Sequence, residues 1–313
     1  MAEPLLAGSP APGSVAGAPP AGAGYDGGAM VASQGRDTPV WAWLRFFGSE
    51  LRLVFGRRRN QALLAVVALF PLVIGIGLRL ADQGGNSGGP SVAFIGQLAG
   101  NGVFLSFIAL SLLLILVMPL AVAVVSGDSM AGEAGYGTLR SLLAVPAGRV
   151  RLLSVKYAAI VVFAVTVTFM VTAVALATGA ALFPIGPVTL LSGTTVPIAD
   201  AMLRLLFVMM YVSAAMASLG MVGMAISTLT EHAVGAIGAT AIVVVTSEVV
   251  DNVPQFAAIH PYLPTHWWTS FDSLLRVPID TGTLMRGLLS FGMYLVIFGA
   301  FTWARFTTAD VTS

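Results

Sequence analysis

The chain has 313 residues, of which 57% are hydrophobic and only 9% are charged, whereas a soluble domain carries about 25% charged residues. So few charged side chains cannot cover a water-soluble body of this size, which excludes a soluble enzyme. The apolar residues collect in six stretches that mostly lack charge, as in an integral membrane protein. The absence of cysteine excludes disulfides, thiolate metal sites and cysteine nucleophiles.

In chain order, residues 1–38 form a low-complexity tract of Gly, Ala, Pro and Ser, which predicts a disordered tail. Residues 39–60 predict an amphipathic helix that lies in the membrane surface. Arg45, Glu50 and Arg52 are predicted on its other faces, with arginines at the lipid headgroups. The apolar residues recur at spacings of three and four, and they are Trp43, Phe46, Phe47, Leu51, Val54 and Phe55.

Six candidate membrane spans follow, each near the ~20 residues that are needed to cross hydrocarbon. Pro71 and Pro119 predict kinks in the first and second spans, because proline removes a backbone donor. The predicted fold is therefore an all-α membrane protein with six transmembrane helices after the amphipathic helix. The spans cover, within a domain of residues 61–304, about 61–80, 102–126, 157–182, 202–229, 232–250 and 286–304.

The distribution of basic residues predicts the orientation. They concentrate before the first span and in the loop 127–156, whereas the loops on the opposite side hold almost none. The positive-inside rule therefore places this loop and both termini, including the tail 305–313, in the cytoplasm. Residues 251–285 then form an extracytoplasmic cap.

The loop between spans two and three carries the strongest motif. Thr138 can cap a short helix, Leu139, Leu142 and Leu143 form an apolar stripe on it, and Pro146 ends it. A two-turn helix gains little stability alone, so it predicts docking into a groove on a partner. A turn lying on the membrane surface is the alternative that the residues leave open. The predicted docking residues are Glu133, Gly137, Thr138, Leu139, Arg140, Leu142, Leu143, Pro146 and Arg149.

This pattern, E-x-x-x-G-T-L-x-x-L-L-x-x-P-x-x-R between the second and third of six spans, resembles the membrane subunits of ATP-binding-cassette (ABC) transporters of the type-2 exporter class. Lys156 stands where family members place a basic residue at the start of the third span. Phe306 and Asp310 are similar to the family's ending, although threonines stand where the family has a basic residue. The resemblance implies a homodimer, or a pair with a related permease, and coupling of the loop helix to a separate ATP-binding subunit.

The chain itself lacks the motif of a P-loop ATP site. That site needs G-x-x-x-x-G-K-[ST], and the sole lysine, Lys156, follows Val155 and precedes Tyr157. We therefore expect a chain that is not an enzyme and holds no cofactor, with ATP and magnesium bound by the partner subunit.

Lesser features bear on the substrate. Met209, Met210 and Met216 in the fourth span predict a possible substrate-facing surface, with helix packing through small residues as the favoured alternative. His260 and His266 lack a third ligand, so they make a poor metal site. No ionisable residue falls in the middle of a span, which argues against a proton-driven carrier or a channel and favours a lipophilic or amphiphilic substrate.

Asp200 and Arg204, four residues apart, predict an ion pair at the start of the fourth span.

The sequence thus predicts the permease subunit of an ATP-driven exporter in a bacterial plasma membrane, with the lipid bilayer as its surroundings and no nucleic-acid partner. One alternative is a non-transporting scaffold or assembly factor that docks a cytoplasmic protein. Another is a lipid or drug carrier that works without ATP.

Overall fold

The computed structural model describes residues 39–83, 101–135 and 149–308, and the architecture given below is that of these residues. The predicted tail, residues 1–38, lies outside them. Most of the described chain is helical, because an apolar chain in lipid must pair its backbone groups within each segment. The α-helices are α1 Pro39–Gly56, α2 Arg58–Gln83, α3 Phe104–Ile115, α4 Val117–Gly135, α5 Arg149–Leu182, α6 Ile198–Ser227, α7 Ala233–Asp251 and α8 Thr281–Thr308.

Five of these helices, α2, α5, α6, α7 and α8, are long and apolar enough to cross a membrane. Helices α3 and α4 pass the same test as a pair that is bent by 53°, which gives up to six spans. The predicted all-α membrane fold is therefore confirmed.

Pro119 accounts for the bend between α3 and α4. A proline inside a helix cannot donate to the carbonyl four residues earlier, and its ring crowds that carbonyl. For Pro119 this carbonyl belongs to Ile115, the last residue of α3, and the next helical bond runs from Leu120 N–H to the Leu116 oxygen (3.0 Å). Pro71, by contrast, lies within α2 without breaking it.

The core lies between α4, α5 and α6. In its most apolar window α6 is 67% buried, whereas α2 and α8 are only 17% buried. Helices α2 and α8 thus turn most of their apolar side chains outward, as helices facing lipid or a second subunit do.

The chain just before α3 and the end of α5 approach each other through two glycines. A Cβ atom added at Gly179 would lie 2.0 Å from the carbonyl oxygen of Gly102. One added at Gly102 would lie 2.6 Å from the carbonyl carbon and oxygen of Gly179. Only glycine fits both positions, since the atoms in the way are backbone atoms.

Two connections at one end of the bundle, which we call the hairpin end, lie within the described residues. An antiparallel pair of two-residue strands, β1 Val188–Thr189 and β2 Thr195–Val196, joins α5 to α6 and is a small addition to the predicted helical fold. Between α7 and α8 lie three 3-10 helices, in the region predicted as an extracytoplasmic cap. They are Pro254–Phe256, His260–Tyr262 and Trp268–Leu275.

Arg204 corrects one expectation at the hairpin end. Its guanidinium donates to the carbonyl oxygens of Leu274 and, at 3.3 Å, Arg276, instead of pairing with Asp200. These carbonyls come at the end of the third 3-10 helix, where they have no helical partner. Arg204 therefore fixes the third 3-10 helix to α6.

The two histidines of the cap belong to a polar contact with α7. His266 Nδ1 lies 2.6 Å from Asp251 Oδ1, and His260 Nδ1 lies 3.8 Å from the same oxygen. No group of three His, Cys, Asp or Glu that could hold a metal ion occurs among the described residues.

Candidate functional site

The predicted docking segment lies between α4 and α5. Helix α4 extends to Gly135 and α5 begins at Arg149, so both ends of the predicted loop 127–156 are helical. Lys156 therefore lies two turns inside α5, not at its start. The residues between the helices, 136–148, lie outside the described residues, as do the side chains of Glu133 and Arg149. The docking role of this segment therefore stays a prediction. It concerns Gly137, Thr138, Leu139, Arg140, Leu142, Leu143 and Pro146.

Two turns after its start, α5 is joined to the amphipathic helix α1 by a buried ion pair. Lys156 Nζ lies 3.5 Å from both carboxylate oxygens of Glu50. Lys156 is only 3% exposed and Glu50 only 7%. Buried charges of this kind persist only when they are paired, so the contact fixes α1 against α5.

The end of α4 is held by a second set of charges. Asp128 is 8% exposed and pairs with the guanidinium of Arg57, the residue between α1 and α2. Arg59 Nη2 lies 3.1 Å from the same carboxylate oxygen. Asp128 therefore fixes α4 to the junction of α1 and α2. We call Glu50, Arg57, Arg59, Asp128 and Lys156 the charge cluster, and the side of the bundle that carries it the cluster end.

A small polar cavity of about 40 Å³ lies within the charge cluster. Asn60, whose Nδ2 donates to the Val54 oxygen at 2.8 Å, lines it, and the buried Asn60 Oδ1 accepts no hydrogen bond from the described residues. The size and the polar lining suit a water molecule.

Ser227, at the end of α6, ties the same stretch of α4 to the core. Its hydroxyl donates to the Gly127 oxygen at 2.6 Å and accepts from the N–H groups of Met130 (3.1 Å) and Ala131 (2.9 Å). A Cβ atom at Gly127 would lie 2.8 Å from the backbone nitrogen of Ile237 in α7. The end of α4 is thus held by α6 and α7 as well as by the charge cluster.

Replacing Ser227 by alanine is expected to lower the free energy of unfolding by about 1–2 kcal/mol, because three backbone groups lose a buried partner. Thermal unfolding of the purified chain in nanodiscs measures the change. Ser218→Ala is the matched control, since Ser218 is also buried in α6 but bonds only to the Ala215 oxygen of its own helix. An equal shift in both variants would contradict the interhelical role of Ser227.

Sequence reasoning missed Glu50 and Asp128 as members of a site. Glu50 was predicted on a face of α1 away from the apolar stripe, and the structure buries it. The signal was present, because Glu50 follows Phe46 and Phe47 by four and three residues and precedes Val54 by four. Asp128 was predicted within a loop, so its burial in a helix was not expected.

The three methionines of the predicted substrate-facing surface differ in burial. Met216 is completely buried in the core, Met209 is half-buried and Met210 is 62% exposed. The burial of Met216 favours a packing role for that residue. A contact with substrate stays a prediction for all three.

The comparison with protein families gives a match over most of the helical bundle. A family model described as an ABC-2 family transporter protein matches residues 57–247, more than half of the chain. The matched region begins at Arg57 and contains Asp128, Lys156 and Ser227, but neither Glu50 nor α8. No curated protein matches the chain.

Proposed function

Because the chain belongs to the ABC-2 transporter family, we propose that this membrane component is the permease subunit of an ATP-driven exporter. A separate ATP-binding subunit docks on residues 136–148, with Leu139, Leu142 and Leu143 in its groove. Two copies of the chain, or one copy and a related permease, enclose the pathway. The cluster end and both termini face the cytoplasm of a bacterial cell, in agreement with the distribution of basic residues.

The observation that carries this proposal is the way in which α4 and α5 are held next to the docking segment. Asp128 lies seven residues before the end of α4, and Lys156 lies seven residues after the start of α5. Both side chains make buried charge contacts to α1 or to its junction with α2. A displacement of the docking segment therefore moves α1, α4 and α5 together, as a rigid body.

The bend at Pro119 supports a tilting movement. Helix α4 can change its angle to α3 at this point, because the broken hydrogen-bond ladder resists bending less than a continuous helix does. ATP-driven motion at the cluster end thus reaches α3, which lies toward the hairpin end.

The burial of charge supports a lipophilic or amphiphilic substrate. Three charged residues, Glu50, Asp128 and Lys156, are buried among the described residues, and all three belong to the charge cluster. Strongly charged substrates and coupling ions generally need ionisable partners in the middle of the membrane. A lipophilic or amphiphilic molecule that carries at most one charge fits the remaining, apolar interior.

Replacing Leu142 and Leu143 by aspartate tests the docking step. Each leucine is expected to contribute about 1.5–3 kcal/mol when buried in a groove, so association with the ATP-binding subunit should fall at least tenfold. Co-purification of the two subunits and the rate of ATP hydrolysis in the reconstituted complex measure the effect.

Leu229→Asp is the control, since Leu229 is an exposed leucine in the turn after α6, at the same end of the bundle. It should leave association unchanged. Undiminished association of the Leu142→Asp/Leu143→Asp variant would reject docking on this segment. Full association without substrate flux in the wild type would favour a scaffold.

A further inference from the structure

A cleft of about 330 Å³ opens at the hairpin end, between α2, α3 and the third 3-10 helix. Its volume lies within the range of small-molecule sites, near the lower limit. The cleft is distinct from the charge cluster, which lies at the other end of the bundle. Its apolar walls include Ile74, Leu78, Phe104, Phe107, Phe271 and Leu275.

Only two of the described lining side chains are polar, Ser111 and Asp272. The Ser111 hydroxyl donates to the Phe107 oxygen at 2.9 Å, within its own helix. Asp272 is the only charged side chain among the described lining residues. Asp272 thus carries the charge on the described walls of the cleft, and the nearby arginines, Arg276 and Arg204, do not line it.

The carboxylate of Asp272 is available to a ligand. Among the described residues it forms an ion pair with Arg276 at 3.5 Å, in which the Asp272 side chain is 46% exposed and the Arg276 side chain 60%. An exposed pair four residues apart contributes little free energy, because water competes for both charges. A cation in the cleft can therefore take the place of Arg276 beside Asp272.

We propose that this cleft binds a lipophilic monocation, with an apolar, partly aromatic body between the phenylalanine rings and one positive charge beside Asp272. That such a ligand is the transported substrate rests on the proposed function, whereas its binding to the permease does not.

The cleft lies beside α3, whose angle to α4 changes in the proposed mechanism. Helix α3 supplies five of its lining residues and ends at the bend before α4. A tilt of α4 that changes this bend shifts one wall of the cleft against α2 and the third 3-10 helix. Binding and release can therefore follow the state of the docking segment.

Two probes of similar size test the proposal on the full chain in phosphatidylcholine nanodiscs without the ATP-binding subunit. Methyltriphenylphosphonium carries a positive charge and triphenylphosphine oxide does not. Equilibrium binding should be about fivefold tighter for the cation, the order expected for one partly exposed charge pair. Asp272→Asn should abolish this preference, and Arg276→Gln should increase it by removing the competing cation.

Asp280→Asn is the matched control, because Asp280 is an exposed carboxylate at the same end that does not line the cleft. It should keep the preference of the wild type. Ile108→Trp fills the cleft from a half-buried position on α3 and should weaken binding of both probes about tenfold or more.

Equal affinity for the two probes, or a cation preference that survives Asp272→Asn, would overturn the proposal. Unchanged binding in Ile108→Trp would place the ligand elsewhere. Lipid that co-purifies with the wild type but not with Ile108→Trp, without any cation preference, would identify the cleft as a lipid site instead. None of these results depends on ATP, so failure here is separate from failure of the docking test.

Discussion

Replacing Lys156 by methionine is expected to lower the free energy of unfolding by about 3–5 kcal/mol, because it leaves a charge buried without its partner. Glu50 is 7% exposed, and both of its carboxylate oxygens lie 3.5 Å from Lys156 Nζ. Without the ammonium group, the Glu50 carboxylate must separate from α5 to reach water or take up a proton. Either outcome weakens the contact between α1 and α5.

Thermal unfolding of the chain in nanodiscs measures this loss. The double variant Glu50→Leu/Lys156→Met should recover most of it, since apolar side chains of similar volume can replace a buried pair at little cost. Arg276→Met breaks the exposed pair with Asp272 and is the control, with an expected change of about 0–1 kcal/mol. If Lys156→Met shifted stability no more than Arg276→Met, the buried pair would not hold α1 to α5.

The second large effect is expected at the other end of α5. Replacing Gly179 by alanine should destabilise the fold by about 3 kcal/mol, at the upper end of the range for overpacking. The new Cβ atom would lie 2.0 Å from the carbonyl oxygen of Gly102, and a backbone atom cannot rotate away as a side chain can. The start of α3 and the end of α5 must then separate.

Gly77→Ala is the control for this substitution, because no atom lies within 4 Å of a Cβ built at this position in α2. Alanine favours the helix over glycine by up to about 1 kcal/mol, so this variant should be neutral or slightly stabilised. The same assay should therefore give a large loss of stability for Gly179→Ala and no loss for Gly77→Ala. A neutral Gly179→Ala variant would show that the two segments have room to move apart.

The predictions for Lys156 and Gly179 both concern how firmly α5 is held to its neighbours. Helix α5 is held to α1 by Lys156 at the cluster end and packs against the residues before α3 through Gly179 at the hairpin end. In the mechanism proposed above, motion that enters at residues 136–148 travels along α5 only if both contacts hold. Loss of either one should therefore reduce coupling even in a complex that still assembles.

Composition and periodicity were sufficient to predict the helical membrane fold and the bend between α3 and α4. Lipid offers no partner to a backbone N–H or carbonyl, so each long apolar stretch had to become a helix. Pro119 predicts the bend in the second span for a local reason, the loss of one backbone donor. Helix formation by an apolar stretch and a bend at a proline both depend on residues close together in the sequence, so the sequence alone predicts them.

The charge cluster required more than local information. Glu50 is adjacent to the apolar stripe of α1, but its partner Lys156 is 106 residues away in the sequence. The sequence predicts Asp128 in a loop, whereas in the structure α4 continues to Gly135 and therefore includes it. Ser227 and Gly127 are 100 residues apart.

The sequence by itself determined that this chain is an all-α membrane protein with up to six spans. It also carries, between the second and third predicted spans, the motif that resembles membrane subunits of ABC transporters. Only the tertiary structure decided which charged side chains are buried, which helices they join, and where the apolar cleft with Asp272 opens. The physical reason is that span formation follows from transfer of a local segment into lipid. Pairing of buried charges and the shape of a cleft depend on how distant helices pack.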